Sequence, residues 1–195
     1  MLRLILFAMA MGIATIAPAA AFTMGDDGLH KEDWFSITFR DIREDIATAR
    51  KEGKRLAIIY EQRGCIYCKK VHEELLTDPH IRDYIKANFM MVQYNLYGDE
   101  EVTDLDGKTL TEKTAGRRWS IVFTPTILFM PETAPEGLTA AQAAVAMMPG
   151  AFKKGTFLDM FTWVRQSGYA GEEDFQRYHA RRIRERAAAG ETNTD

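Results

Sequence analysis

The stretch Leu56-Ala57-Ile58-Ile59-Tyr60 is apolar and partly β-branched, of strand length and too short for a helix. Gly53 precedes it, and Gln62-Arg63-Gly64 breaks it. From Cys65 the period changes: Cys68, Val71 and Leu75 fall on one face, while Lys69, Lys70, Glu73 and Glu74 are polar. That is an amphipathic helix beginning at the first cysteine. The order is therefore buried strand, short turn, Cys65, helix, and it points to an α/β chain.

Both cysteines of the chain lie in Cys65-Ile66-Tyr67-Cys68. A bridge across two intervening residues closes almost no loop and adds little stability, so the pair is there for its chemistry rather than as a staple. The first turn of a helix carries unpaired N–H groups and the positive end of the dipole. A thiolate there is stabilised, and its pKa falls below the free value of about 8.5. Cys65 is then the attacking thiol; Cys68, one turn along and more buried, displaces the partner from the mixed disulfide. Lys69 and Lys70 add positive charge nearby, as solvated lysines. Metal binding is the competing use of two thiolates. A structural zinc site needs four ligands, and His30, His72, His80 and His179 are scattered. His72 follows Cys68 by four residues on the same helix face, which allows a three-ligand site or a half-exposed helix residue. Lys69, where covalent haem would want histidine, excludes that group.

Net charge is −3 over 195 residues, which gives nucleic acid no electrostatic footprint. The basic run Arg181–Arg186 reads as a solvated helix face. Met1-Leu2-Arg3, the apolar stretch Leu4 to Ala17, and Pro18-Ala19-Ala20-Ala21 form the pattern of a secretory signal over residues 1–21. The apolar part is shorter than the roughly 20 residues a bilayer span needs, so the mature chain is expected to begin near Phe22, outside the cytoplasm. Domain limits follow: a domain over 22–185 with its core over about 34–167, then a polar tail over 186–195.

Asp78-Pro79 reads as an N-cap with proline at the first helical position, opening a helix to about Asn88. Phe89 to Leu96 reads as a strand. Asp99 to Lys113 is acidic and turn-rich, with a tight turn at Asp106-Gly107, and is expected to be a solvated loop followed by a short helix over Thr111 to Trp119. In Ile121 to Met130, Pro125 interrupts a strand-like run, where it cannot donate to the ladder. Either a cis-proline at a strand start or two strands separated by a bulge explains it. Ala143 to Met148 reads as another strand, Lys153 to Ser167 as an amphipathic helix, and Glu172 to Ala189 as a polar one. Met90-Met91, Met147-Met148, Trp119 and Trp163 are assigned to the core, and Trp34 to core or rim.

A strand, a Cys-x-x-Cys opening a helix, and a distant Thr124-Pro125-Thr126 before an apolar strand resemble the thioredoxin superfamily. Within it the chain looks closest to exported SoxW-type thioredoxins of bacterial sulfur oxidation. The segments behind that are Glu61-Gln62-x-Gly64-Cys65-x-Tyr67-Cys68-Lys69, His72-Glu73, Met148-Pro149-Gly150-x-Phe152 and Phe175-Gln176-x-Tyr178. The resemblance implies a central mixed β-sheet flanked by helices, here with an extra C-terminal helix. It implies that Cys65 is the nucleophile and Cys68 the resolving thiol, with no cofactor beyond their redox-active disulfide. It further implies that Pro125 is cis and lies against the disulfide, and that Thr124, with Pro125 and Tyr67, meets a bound substrate strand. Three departures stand out. Gly64 replaces the usual Trp, Tyr67 the usual Pro, and Ile59 the buried acid that the family often places six residues before the nucleophile. Glu61 shares strand parity with Ile59, so it is either a proton acceptor for Cys68 or an exposed strand-end carboxylate.

The expected function is a periplasmic dithiol reductant of protein disulfides. It would be monomeric, recharged by a membrane thiol transporter, and would serve a sulfur-carrier protein. The alternatives are a Dsb-type oxidase or isomerase and a thiolate metal chaperone.

Overall fold

The computed structural model describes residues 22–191. Its centre is a four-stranded mixed sheet in the order β4 (Phe89–Asn95), β3 (Arg55–Glu61), β7 (Thr126–Phe129), β8 (Ala146–Pro149). β3 runs parallel to β4 and antiparallel to β7, and β8 is antiparallel to β7. β3 lies between two strands and is covered on both faces, so every one of its residues is buried; this is why the sequence shows a continuous apolar run rather than alternation. Its side chains still divide by parity. Leu56, Ile58 and Tyr60 join one core with α1 (Ile42–Lys51) and α4 (Glu112–Arg118). Ala57 and Ile59 join the other, with the active-site helix, α3 (Pro79–Asn88), α6 (Lys154–Arg165) and α7 (Phe175–Ala188).

The helix starts obey their caps. Asp41 accepts from the N–H groups of Arg43 and Glu44 at α1, Asp78 from His80 at α3, and Asp174 from Arg177 at α7. Ala140–Ala143 is a single turn, α5, capped by Thr139, so the strand expected over Ala143 to Met148 starts later, at Ala146. The N-terminal segment holds a two-residue hairpin, β1 (Thr23–Met24) with β2 (His30–Lys31), and then runs beside β4, where Ser36 N–H donates to the Met91 carbonyl at 2.7 Å.

Two polar stretches are more integrated than their composition implies. The acidic segment forms a hairpin, β5 (Glu101–Thr103) with β6 (Thr109–Thr111), turning at Gly107 with φ +81°. Val102, Leu105 and Asp104 are buried rather than solvated. The Asp104 carboxylate accepts from Ala140 N at 2.7 Å, Trp119 Nε1 at 2.9 Å and Arg118 Nη1 at 2.7 Å. The basic run of α7 is likewise only partly a solvated face: Arg186 donates to both oxygens of buried Asp159, at 2.8 and 3.0 Å.

Asp45, on α1, is buried with Thr38 Oγ1 donating to it at 3.0 Å. Burial pushes its carboxyl up to about 6, and the nearby Asp41 and Glu44 carboxylates add to the rise. A carboxyl raised this way lowers stability as pH climbs from about 4 through about 6. Asp45→Asn keeps an acceptor for Thr38, so it is expected to raise Tm at pH 7.5, with the gain vanishing at pH 4 in parallel thermal melts.

Candidate active site

β3 ends at Glu61, and Gly64, at φ +71°, turns the chain into Cys65. Cys65 is the N-cap of α2 (Ile66–Lys70), which runs on through a wide π turn over Val71–Leu75. Cys65 and Cys68 form a disulfide with Cα atoms 5.2 Å apart. Cys65 is 8% exposed and Cys68 1%. The Cys68 N–H donates to Cys65 Sγ at 3.0 Å, and the Thr124 hydroxyl donates to the same sulfur at 3.3 Å. Both are donors aimed at the sulfur of Cys65, the arrangement that stabilises a thiolate on it. Lys69 and Lys70 lie 3.6 and 3.8 Å from Glu73 and Glu74, in exposed surface pairs.

The Thr124–Pro125 bond is cis. It precedes β7 and places the Thr124 carbonyl oxygen 3.5 Å from Cys65 Sγ. Around the sulfur the surface is apolar and open: Ile66, Tyr67, Val122 and Phe123 are all exposed. Thr124 is thus brought against Cys65 with Tyr67 exposed on the following turn, while Pro125 is buried just after Thr124.

The other side of the active-site helix is charged and dry. Glu61 is fully buried, which rules out the exposed strand-end reading. His72 is fully buried too, not half-exposed, because the face that carries Cys68 is pressed onto the sheet and the N-terminal segment. His72 Nε2 lies 2.9 Å from Glu61 Oε1, and Nδ1 lies 2.8 Å from Glu32 Oε1. Gln93 Nε2 donates to Glu61 Oε2 at 2.6 Å and is itself oriented by Lys31 Nζ, which donates to Gln93 Oε1 at 2.8 Å. Burial opposes a charge on His72, yet hydrogen bonds and attraction from Glu32 and Glu61 outweigh it and raise its pKa to about 9. His30 stacks on His72 with ring centroids 5.3 Å apart; burial and the charge of His72 push its own pKa down. Among the described residues no group of three or more His, Cys, Asp or Glu side chains is arranged to hold a metal ion.

A family model described as a thioredoxin-like domain matches residues 42–162, more than half of the chain. The chain belongs to the thioredoxin-like family. Its Cys65–Cys68 pair is the redox-active disulfide of a thiol–disulfide oxidoreductase. A thioredoxin-fold protein from Helicobacter pylori superposes with a TM-score of 0.63 at 18% identity, covering 81% of this chain and 94% of that one. A thioredoxin from Thermus thermophilus superposes with a TM-score of 0.52 at 22% identity, covering 68% and 90%. At these identities the likeness concerns the fold. No curated protein sequence matches the chain.

Sequence reasoning had singled out Glu61 and had placed His72 on the helix face of Cys68, but it missed the network between them. Parity on β3 and the four-residue step from Cys68 were the signals available for those two. Glu32 and Gln93 arrive from segments 40 and 32 residues away from their partners, and nothing local marks them.

Proposed function

We propose that this protein is an exported dithiol reductant of protein disulfides, in which Cys65 attacks and Cys68 resolves. The observation that carries the reading is the sulfur of Cys65, capped by the Cys68 N–H and the Thr124 hydroxyl and more exposed than Cys68. Thr124 offers backbone to an extended client segment, Pro125 lies against the disulfide, and exposed Tyr67 offers an apolar side. Glu61 receives the proton of Cys68. Local charge supports the reductive direction. A strong oxidant needs a thiolate held far below its ordinary pKa. Here Ile66-Tyr67 brings no cation between the cysteines, and the lysines after Cys68 are solvent-exposed.

Further along the same reading, the protein is a SoxW-like periplasmic thioredoxin. It acts as a monomer, draws electrons from a membrane thiol transporter and passes them to a sulfur-carrier protein of thiosulfate oxidation. The signal-like residues 1–21 lie outside the described part of the chain, and no described helix is long and apolar enough to cross a membrane. Equilibration of the Cys65–Cys68 couple against glutathione and dithiothreitol tests the direction. A reduction potential near the thioredoxin value of about −270 mV supports a reductant. A value near about −120 mV overturns it in favour of a Dsb-type oxidase.

A further inference from the structure

The last turn of α1 carries Arg50 and Lys51. Cations there suit the negative end of the helix dipole, which accounts for their sign but not for what lies beside them. Between α1 and the loop that follows β7 is a cleft of about 450 Å³. Its floor is apolar, made by Ile46 and Ala47 from the helix and Ala134 from the loop. Ile46 is buried, and Ala134 packs on the same core. Arg43, Ala47 and Lys51 are spaced by four residues, as are Ile46 and Arg50, so one face of α1 presents both the floor and the cations.

The charges around the cleft do not balance. Arg43 is fixed in place: Nη2 donates to the carbonyls of Leu105 and Pro135 at 2.8 and 3.2 Å, and Nη1 to exposed Glu136 at 3.1 Å. Arg50 and Lys51 are exposed, and among the described residues neither has a carboxylate within ion-pair reach. The adjacent Glu52 is engaged by Lys54 at 3.4 Å. Glu132, the acid that lines the cleft, is turned to Arg55 at 3.4 Å. Arg55 is buried, its other partners are the neutral hydroxyls of Tyr169 and Ser167, and its Nε has no partner among the described residues. Glu132 therefore already answers a buried cation. Arg43, Arg50 and Lys51 remain over an apolar floor, with Glu136 alone against them. In a chain of net charge −3 this is a local reversal of sign.

An inorganic anion would leave the floor bare, and an uncharged apolar group would leave the cations unanswered. We propose that the cleft between α1 and the loop after β7 is a docking site for an acidic segment of a partner protein, one that sets an apolar side chain between its carboxylates. The apolar side chain fills the floor, and the carboxylates meet Arg50 and Lys51 on the rim. Arg55 opens β3, and Cys65 follows its far end. With a rise of about 3.3 Å per strand residue, the cleft and the disulfide are separated by roughly 20 Å. A partner held there leaves Cys65 Sγ accessible, and the tether raises the effective concentration of whatever disulfide or dithiol that partner brings. The cleft thus supplies affinity and takes no part in the exchange of bonds.

The probe is the peptide acetyl-Glu-Glu-Leu-Glu-Glu-amide, titrated at low salt into isotope-labelled protein and followed by backbone amide NMR shifts. Saturable shifts are expected on α1 and residues 132–134, weakening as salt is added. Exchanging the four glutamates for glutamine is expected to weaken binding at least about tenfold. Exchanging the leucine for glycine is expected to weaken it at least about fivefold. In the protein, the double variant Arg50→Glu/Lys51→Glu keeps the fold, because both side chains are exposed. It is expected to bind the peptide at least about tenfold more weakly, while its turnover of oxidised glutathione with dithiothreitol as donor changes less than about twofold. Wild-type affinity in that variant, shifts centred on Cys65, or no saturable binding each overturn the proposal. A glycine peptide that binds as tightly as the leucine peptide also overturns it, since the cleft would then take a bare anion.

Discussion

Replacing Cys68 by serine turns the protein from a turnover catalyst into a trap. Cys65 keeps the N-cap position, and both of its hydrogen-bond donors keep theirs, since one is the backbone N–H of residue 68 and the other is the Thr124 hydroxyl. Attack on a client disulfide therefore proceeds. The serine hydroxyl cannot displace the client, and the mixed disulfide persists. Turnover is expected to fall to the uncatalysed background, with about one equivalent of adduct held per chain under excess disulfide. Cys65→Ser loses turnover to the same extent and holds no adduct, because Cys68 is buried away from the surface that a client reaches. Intact-mass measurement after exposure to oxidised glutathione checks both. Adduct on the Cys65→Ser protein would reverse the roles of the two sulfurs.

The second large effect concerns stability. Leucine at His72 removes the donor that separates two carboxylates, leaving Glu61 and Glu32 buried without the ring between them. Breaking a buried ion pair from one side costs about 3–5 kcal/mol, which for a chain of this size lowers Tm by roughly 10 °C. The pH dependence gives the effect a signature. The imidazole pKa is raised to about 9, so the stability it contributes is complete below about 6.5 and is lost as pH rises through about 9. Wild-type Tm is expected to decline between pH 7 and pH 10, while the His72→Leu protein starts lower and lacks that part of the decline. Parallel declines in the two proteins would show that the imidazolium is not the titrating group.

Much of this molecule is written locally in its sequence. The β3 run, the start of the active-site helix at Cys65, the Asp78-Pro79 cap, the turn at Gly107 and the strand beginning after Pro125 are each set by a few adjacent residues. Their physics is short-range: period, cap, left-handed turn, missing donor. The two sulfurs and the Thr124 rim were legible for the same reason. What stayed hidden is long-range polar pairing. Asp104 looks like one acid among several until Trp119, Arg118 and Ala140 converge on it. His72 looks amphipathic-neutral until a carboxylate arrives from each side. Composition assigns such residues to water, and only tertiary contact shows that they are dry.

The stitching of Glu32 to His72 and of Lys31 to Gln93 also sets an order of events during folding. Glu32 and Lys31 have partners 40 and 62 positions further on. Arg55, on the central strand, waits longer still for Tyr169 and Ser167, 114 and 112 positions away. Contacts this distant incur their loop-closure cost before they return any stability. The N-terminal segment therefore docks only once β4 is in place to receive it. A chain that has yet to dock it carries both cysteines but lacks the buried Glu32–His72 contact on the far side of their helix.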